Sequence, residues 1–189
     1  MAEPDTPLRV NRAPVLTLWA AVVAERLGHP PDTALSLASH VAGTAARAKA
    51  RRLGISEPHE DPHAKPHPAA TAATAAPAAT AAPPRKAVRL LGRDIQVAPG
   101  PDGTLLADSG DGTPAPATPA RAYVARAFGK RLDEARAAME ELAASLDPEE
   151  LNRIGFRLYE HFRPEVPPDA RGWGAKGELH PARIRGAAG

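Results

Sequence analysis

Three histidines, His59, His63 and His67, recur at every fourth position. On a helix that spacing would align three imidazoles toward one divalent metal. Pro58, Pro62, Pro66 and Pro68 interrupt the run, and proline inside a helix removes a backbone donor and clashes with the preceding turn. A defined metal site needs ligands on a fixed backbone. The run therefore reads as a disordered Pro-His-x-x repeat, to which Glu60 and Asp61 add no more than loose cation affinity. No metal and no other cofactor is expected.

The second candidate is cationic. Arg47, Lys49, Arg51 and Arg52 crowd one short stretch, and no Asp or Glu occurs between Thr33 and Ser56. Cations at this density neutralise phosphates and release counterions. Just upstream, Ala24 and Gly28 have the small-x-x-x-Gly spacing found before the turn of helix-turn-helix proteins, whose second helix enters the major groove. Base reading is poorly provided for. Pro30 and Pro31 sit in the turn, and the first half of the second helix offers only Thr33, Ser36 and Ser39. Bidentate base contacts call for Arg, Asn or Gln there. The alternative is an ordinary helical hairpin with a solvated basic end.

The third candidate is the run Gly172-Trp173-Gly174-Ala175-Lys176-Gly177. It is no P-loop, because Gly177 follows the lysine where Ser or Thr is needed. Trp173 and Lys176, with Arg171, Arg183 and Arg185 nearby in sequence, are candidate partner-binding residues, an aromatic anchor among cations. The alternative is a tail that folds back and closes the core with Trp173. His161 stands near a helix end, where imidazolium suits the dipole, and it has neither a nucleophile nor an orienting partner that can be named. Glu149, Glu150 and Glu160 read as helix-surface charges. No hydrolase, zinc-protease or paired-acid motif occurs. The expectation is no catalytic residue and no enzymatic activity.

Composition limits what can hold such residues in place. The chain has 189 residues with 22 prolines, 15 glycines and only 4% aromatics. Much of its 43% hydrophobic content is alanine, so the core must be built from few large side chains. There is no cysteine, hence no disulfide or thiolate site. The charge is nearly balanced at +2, and overall charge does not announce a nucleic-acid binder. The basic character is local: residues 1–56 hold seven Arg and Lys against four acids. No signal peptide is apparent, and the most apolar run, 15–23, is far short of a membrane span. A cytoplasmic protein is expected.

The elements follow from periodicity and punctuation. A helix over 12–27, capped by Asn11, carries the stripe Val15, Leu18, Trp19, Val22, Val23 and Leu27 and stops at Gly28. Asp32 caps a second helix that reaches Leu53. After the Pro/Ala/Thr tract, residues 88–91 and 94–98 read as strands around a Gly92-Arg93 turn, with a third strand over 104–107. Thr118-Pro119 opens a helix ending near Gly129. Leu132, Ala135, Met139, Leu142, Ala143 and Leu146 define the next, and Asp147-Pro148-Glu149-Glu150 starts a last one with the stripe Leu151, Ile154, Leu158 and Phe162.

The segments 11–28 and 172–179 resemble those of a family of bacterial hypothetical proteins. The resemblance covers both ends and the helices at 118–162, not the Pro/Ala tract. It implies that head and tail belong to one unit with the tract inserted, and it carries over no functional residues. The fold class expected is mainly α: a small helical domain with a short β-hairpin and a disordered Pro/Ala/His-rich insertion. The helical pair over 10–56 and the part over 86–189 are expected to pack as one domain around the linker 57–85. The leading functional expectation is a non-enzymatic DNA-associated or regulatory protein. The alternative is a protein-interaction or assembly module, with a protein partner or a second copy of the chain; no membrane partner is expected.

Overall fold

The computed structural model describes residues 6–52, 54, 86–109, 112–170 and 175–189. The tract expected to be disordered, 57–85, lies outside them, as does Trp173. The described chain is mainly helical with small antiparallel sheets. Its order is β1 (Leu8–Val10), α1 (Arg12–Arg26), α2 (Pro31–Arg52), β2 (Lys86–Leu90), β3 (Arg93–Pro99) and β4 (Leu105–Ala107). Then come α3 (Thr118–Phe128), α4 (Leu132–Ala144), α5 (Pro148–Phe162), β5 (Gly177–Leu179) and α6 (Pro181–Arg185).

α1 is buried on every side. The expected stripe is there, but Leu16, Ala20, Ala21 and Ala24 on the other faces are buried as well, and every residue from 14 to 24 is enclosed. A helix apolar all round belongs in the middle of a core. α2, α3, α4 and α5 pack around it, and its alanines let their backbones come close. Trp19 is its largest side chain and is fully buried. The indole Nε1 donates to the Gly155 carbonyl at 2.8 Å, and Phe162 meets the ring edge-on at 5.3 Å between centroids. Tyr159 meets Phe162 edge-on in turn and donates its hydroxyl to the Arg12 carbonyl at 3.1 Å. Burial pushes the Tyr159 phenol up to about 12.

The helix signals hold with local changes. Asp147 caps α5 by accepting from the Glu150 N–H, and Gly28 takes the left-handed conformation, φ +95°. Asn11 precedes α1 but makes no side-chain cap bond, and among the described residues its buried Oδ1 accepts nothing. Asp32 is not a cap either, because α2 begins one residue earlier. Its carboxylate pairs with Arg121 of α3 instead.

β2, β3 and β4 form an antiparallel sheet in that order. The β2–β3 turn falls on Leu91-Gly92, one residue before the expected place, with φ of +51° and +74°. Such two-residue turns usually carry Asn or Gly first; a non-glycine residue held there costs about 1–3 kcal/mol. Three contacts hold it. The Leu91 side chain is buried against the bare backbone of Gly155. Its N–H donates to Asn152 Oδ1 at 2.7 Å, while Asn152 Nδ2 donates to the Arg89 carbonyl at 2.9 Å.

The second sheet is a clasp with no periodic signal in the sequence. β1 and β5 pair antiparallel, Leu8 opposite Leu179 and Val10 opposite Gly177. Leu8, Val10, Leu179 and the following Ile184 all enter the core. Gly177 also lies directly under residue 165: a Cβ there would stand 2.7 Å from the Glu165 carbonyl oxygen, and one on Gly155 would stand 2.5 Å from Leu91 Cδ2. Gly155→Ala and Gly177→Ala are each expected to lower the unfolding free energy by about 1–3 kcal/mol. The second should cost more, because its neighbour is backbone rather than a side-chain tip. Urea titration followed by circular dichroism measures both, and unchanged midpoints would refute the close approach.

Candidate nucleic-acid interface

α2 divides into two halves with different surroundings. Its first half is attached to the sheet and to the loop before α3. Thr33 Oγ1 donates to the Leu105 carbonyl at 2.7 Å. Ser36 is fully buried, donates to the Ala115 carbonyl at 2.6 Å and accepts from the Ala107 N–H at 2.8 Å. Two of the three hydroxyls placed where a recognition helix reads bases are therefore internal, and Ser39 alone is exposed. The close helix pair suggested by Ala24 and Gly28 is present, but the groove-reading half of its second helix faces the protein.

The second half has the opposite character. The buried residues of α2 end at Ala42, and Arg47, Lys49, Arg51 and Arg52 are all exposed. From Ala46 to Arg52 the helix extends about 10 Å further at 1.5 Å per residue. Arg47 and Arg51 share a face, Lys49 lies opposite, and the four cations spread over roughly 200° of the axis at 100° per residue. Among the described residues none of the four pairs with a carboxylate; Arg47 reaches only the Thr44 hydroxyl, at 3.4 Å.

Elsewhere several arginines are paired with acids. Arg131 pairs with Glu134 at 2.7 Å, Arg136 with Glu25 and Glu140, Arg183 with Glu165 at 2.6 Å and Arg185 with Glu141 at 2.7 Å. Arg126, Arg157 and Arg163 are also exposed without a carboxylate partner among the described residues, so the α2 end is set apart by the density of its cations rather than by their lack of partners.

Two further residues, His40 and Arg93, bear on the charge of this region. His40 lies seven residues before Arg47, on the same helix face. Arg93 opens β3 and holds its guanidinium 5.6 Å from the centre of the Phe156 ring, within cation–π range. Burial, then the charges of Arg47 and Arg93, hold the His40 imidazole below its usual pKa, against an opposing pull from Asp108. The i, i+7 spacing was a readable signal for His40.

The other candidates remain apart from this region in the chain. Lys176 is exposed just before β5, and its companion Trp173 lies outside the described residues, as do His59, His63 and His67. Among the described residues no group of three or more His, Asp and Glu side chains is gathered for a metal. The His161 side chain is exposed, and its carbonyl accepts from Arg183. An open groove of about 310 Å³ between the β3–β4 turn and the start of α3 is lined by Asp32, Pro101, Asp102, Thr104, Leu106 and Thr118. Within it the Asp102 carboxylate accepts from the Thr104 backbone N–H at 3.1 Å, and this bonding, the Thr104 side chain included, holds the Asp102 carboxyl below its usual pKa. Tyr123 of α3 is the large hydrophobic residue left exposed among those described. No helix of the described chain is long and apolar enough to cross a membrane. No family model, curated protein or solved structure matches the chain.

Two outcomes are expected. Ser36→Ala strands the Ala107 N–H and the Ala115 carbonyl in the core and should cost about 2–3 kcal/mol in chemical denaturation; a cost below about 0.5 kcal/mol would mean that Ser36 is not the internal bridge described. The second concerns acid. Burial depresses the pKa of both His29 and His40. A histidine whose folded pKa lies below its unfolded value binds more protons when unfolded, so stability rises with pH through that window. The contribution is complete above about 6.5, the unfolded value, and is lost as pH falls toward the folded one. The melting temperature should drop between about pH 7.5 and 5.5, and less steeply in His40→Gln; equal slopes would remove His40 from the effect.

Proposed function

We propose that this protein is a non-enzymatic, DNA-associated protein that holds duplex DNA by its phosphates through the end of α2, without reading bases. One observation carries the proposal: four cations extend past the core on a single helix end, close together and without a carboxylate partner among the described residues. Phosphate contacts position a protein on a duplex but carry no sequence information. That suits a helix whose base-reading positions Thr33 and Ser36 are occupied inside the fold. Cations near a helix C-terminus also favour the dipole, and this effect alone would place them there without any ligand. Binding separates the two explanations.

Fluorescence anisotropy of a labelled duplex, measured over about 50–200 mM salt, should give a linear fall of log K with log salt. Replacing Arg47, Lys49, Arg51 and Arg52 together by Ala should flatten the slope by about 3–4, near 0.9 for each phosphate that is no longer neutralised. Duplexes of unrelated sequence should bind alike. A Lys substitution at each of the three arginines keeps the charge and should keep most of the slope. Absence of binding at low salt would refute the proposal and leave a protein partner, at Tyr123 or around Lys176, as the better explanation.

A further inference from the structure

We propose that the open edge of β2 takes up an extended acidic segment of a partner protein as a further strand of the sheet. The proposal is independent of the DNA reading of α2. Its basis is the unequal treatment of the two edges of the sheet β2–β3–β4. An edge strand presents unpaired N–H and C=O groups, and these are a template for another chain.

At the β4 edge those groups are occupied. The Leu105 carbonyl accepts from Thr33 Oγ1, the Ala107 N–H donates to Ser36 Oγ, and the Ala107 carbonyl accepts from the Ala115 N–H at 2.7 Å. The β2 edge is different. In a hairpin with a two-residue turn, every second residue bonds across to the other strand. The backbones of Lys86, Val88 and Leu90 therefore bond to β3, and those of Ala87 and Arg89 point outward. Asn152 of α5 meets this edge beside the turn. Its Nδ2 donates to the Arg89 carbonyl at 2.9 Å, and its Oδ1 accepts from the Leu91 N–H at 2.7 Å. One carboxamide thus does there what the peptide group of a neighbouring strand would do. Further along, the Arg89 N–H and both backbone groups of Ala87 have no partner among the described residues. Lys86, Ala87 and Arg89 are all exposed.

The chemistry of the occupant follows from the charges. Lys86 has no carboxylate partner among the described residues. Arg89 meets Asp94 only at 3.8 Å, with both side chains 69% exposed, a contact that water screens. A second copy of the chain would bring the same cations to the pairing, and like charges destabilise a strand pair. Cations on an edge strand are a common guard against self-pairing. Carboxylates on the added strand would meet them favourably. Arg89 shares the solvent face of β2 with Ala87, while half-buried Val88 lies on the core face. The segment suited to this edge alternates acidic residues, opposite Arg89, with apolar ones beside Val88. Backbone bonds give such a complex its affinity, and the alternate side chains give it specificity.

The probe is a labelled peptide of about six alternating Glu and Val residues, an ordinary strand length, titrated with the full chain by fluorescence anisotropy. It should bind, and the same peptide with Lys in place of Glu should not. Ala87→Pro removes one outward N–H without touching a bond to β3, and edge strands tolerate proline. Its thermal melt should match the wild type, while peptide binding falls about tenfold. Arg89→Ala should weaken binding, and Arg89→Glu should reverse the preference toward the Lys peptide. Amide hydrogen exchange gives a second readout: the Ala87 and Arg89 amides should exchange freely in the protein alone and become protected with peptide. Equal binding by wild type and Ala87→Pro would mean that the cations act as charges alone, as they would on a nucleic acid, and overturns the proposal. So does protection of those two amides in the protein alone, or no binding of the Glu peptide at about 1 mM. None of these outcomes alters the salt slope expected of α2, so the two readings fail separately.

Discussion

A helix with no solvent-facing side must be enclosed by the rest of the chain, and α1 imposes that demand here. Its buried residues cover the full circumference from 14 to 24, with Val, Leu and Trp on one side and chiefly alanine on the other. α2, α3, α4 and α5 supply the enclosure. Trp19 adds a polar requirement, because a buried indole N–H without a partner costs free energy. The Gly155 carbonyl meets it, and a carbonyl inside a helix can do so only if the two helices come very close. The same residue has no side chain, and that space admits Leu91 from the hairpin. One tryptophan and one glycine thus tie α1, α5 and the β2–β3 turn into a single packing arrangement.

The division of α2 follows from the same enclosure. Its first half covers α1 and commits its hydroxyls to the sheet and to the loop before α3. Beyond Ala42 only Ala45 of the helix's hydrophobic residues still packs against the core, and the composition changes to alanine and cations. Alanine favours the helical state without a packing partner, and cations near the C-terminus suit the dipole. The extension can therefore stay helical while its charges remain available to an anion. The structural role and the proposed binding role occupy the same helix without competing for the same residues.

The clasp shows how a chain poor in large side chains completes its core. Leu8 and Val10 at one end and Leu179 and Ile184 at the other are short apolar segments that would be trivial alone. Pairing of β1 with β5 satisfies their backbones and brings Leu8, Val10 and Leu179 into the core, and α6 directly after it adds Ile184. Gly177 is needed because the backbone at residue 165 crosses directly over it.

The sequence by itself determined the helices. Prolines, Gly28, Asp147 and the 3.6-residue stripes are local signals, and local signals set helix bounds to within a residue or two. It also marked Arg47, Lys49, Arg51 and Arg52, since a run of cations without acids is visible in one dimension. Only tertiary structure decided that α1 is central rather than amphipathic, because alanine is silent about which way it faces. Tertiary structure likewise decided that Thr33 and Ser36 look inward, that Asp32 pairs with Arg121, and that Leu8–Val10 finds Gly177–Leu179. Each of these depends on a partner far along the chain, and strands of three residues carry no periodicity to announce one. The unfavourable conformation of Leu91 belongs to the same class: Asn152 and Gly155 hold it, and strain of that kind exists only once the surrounding core has formed.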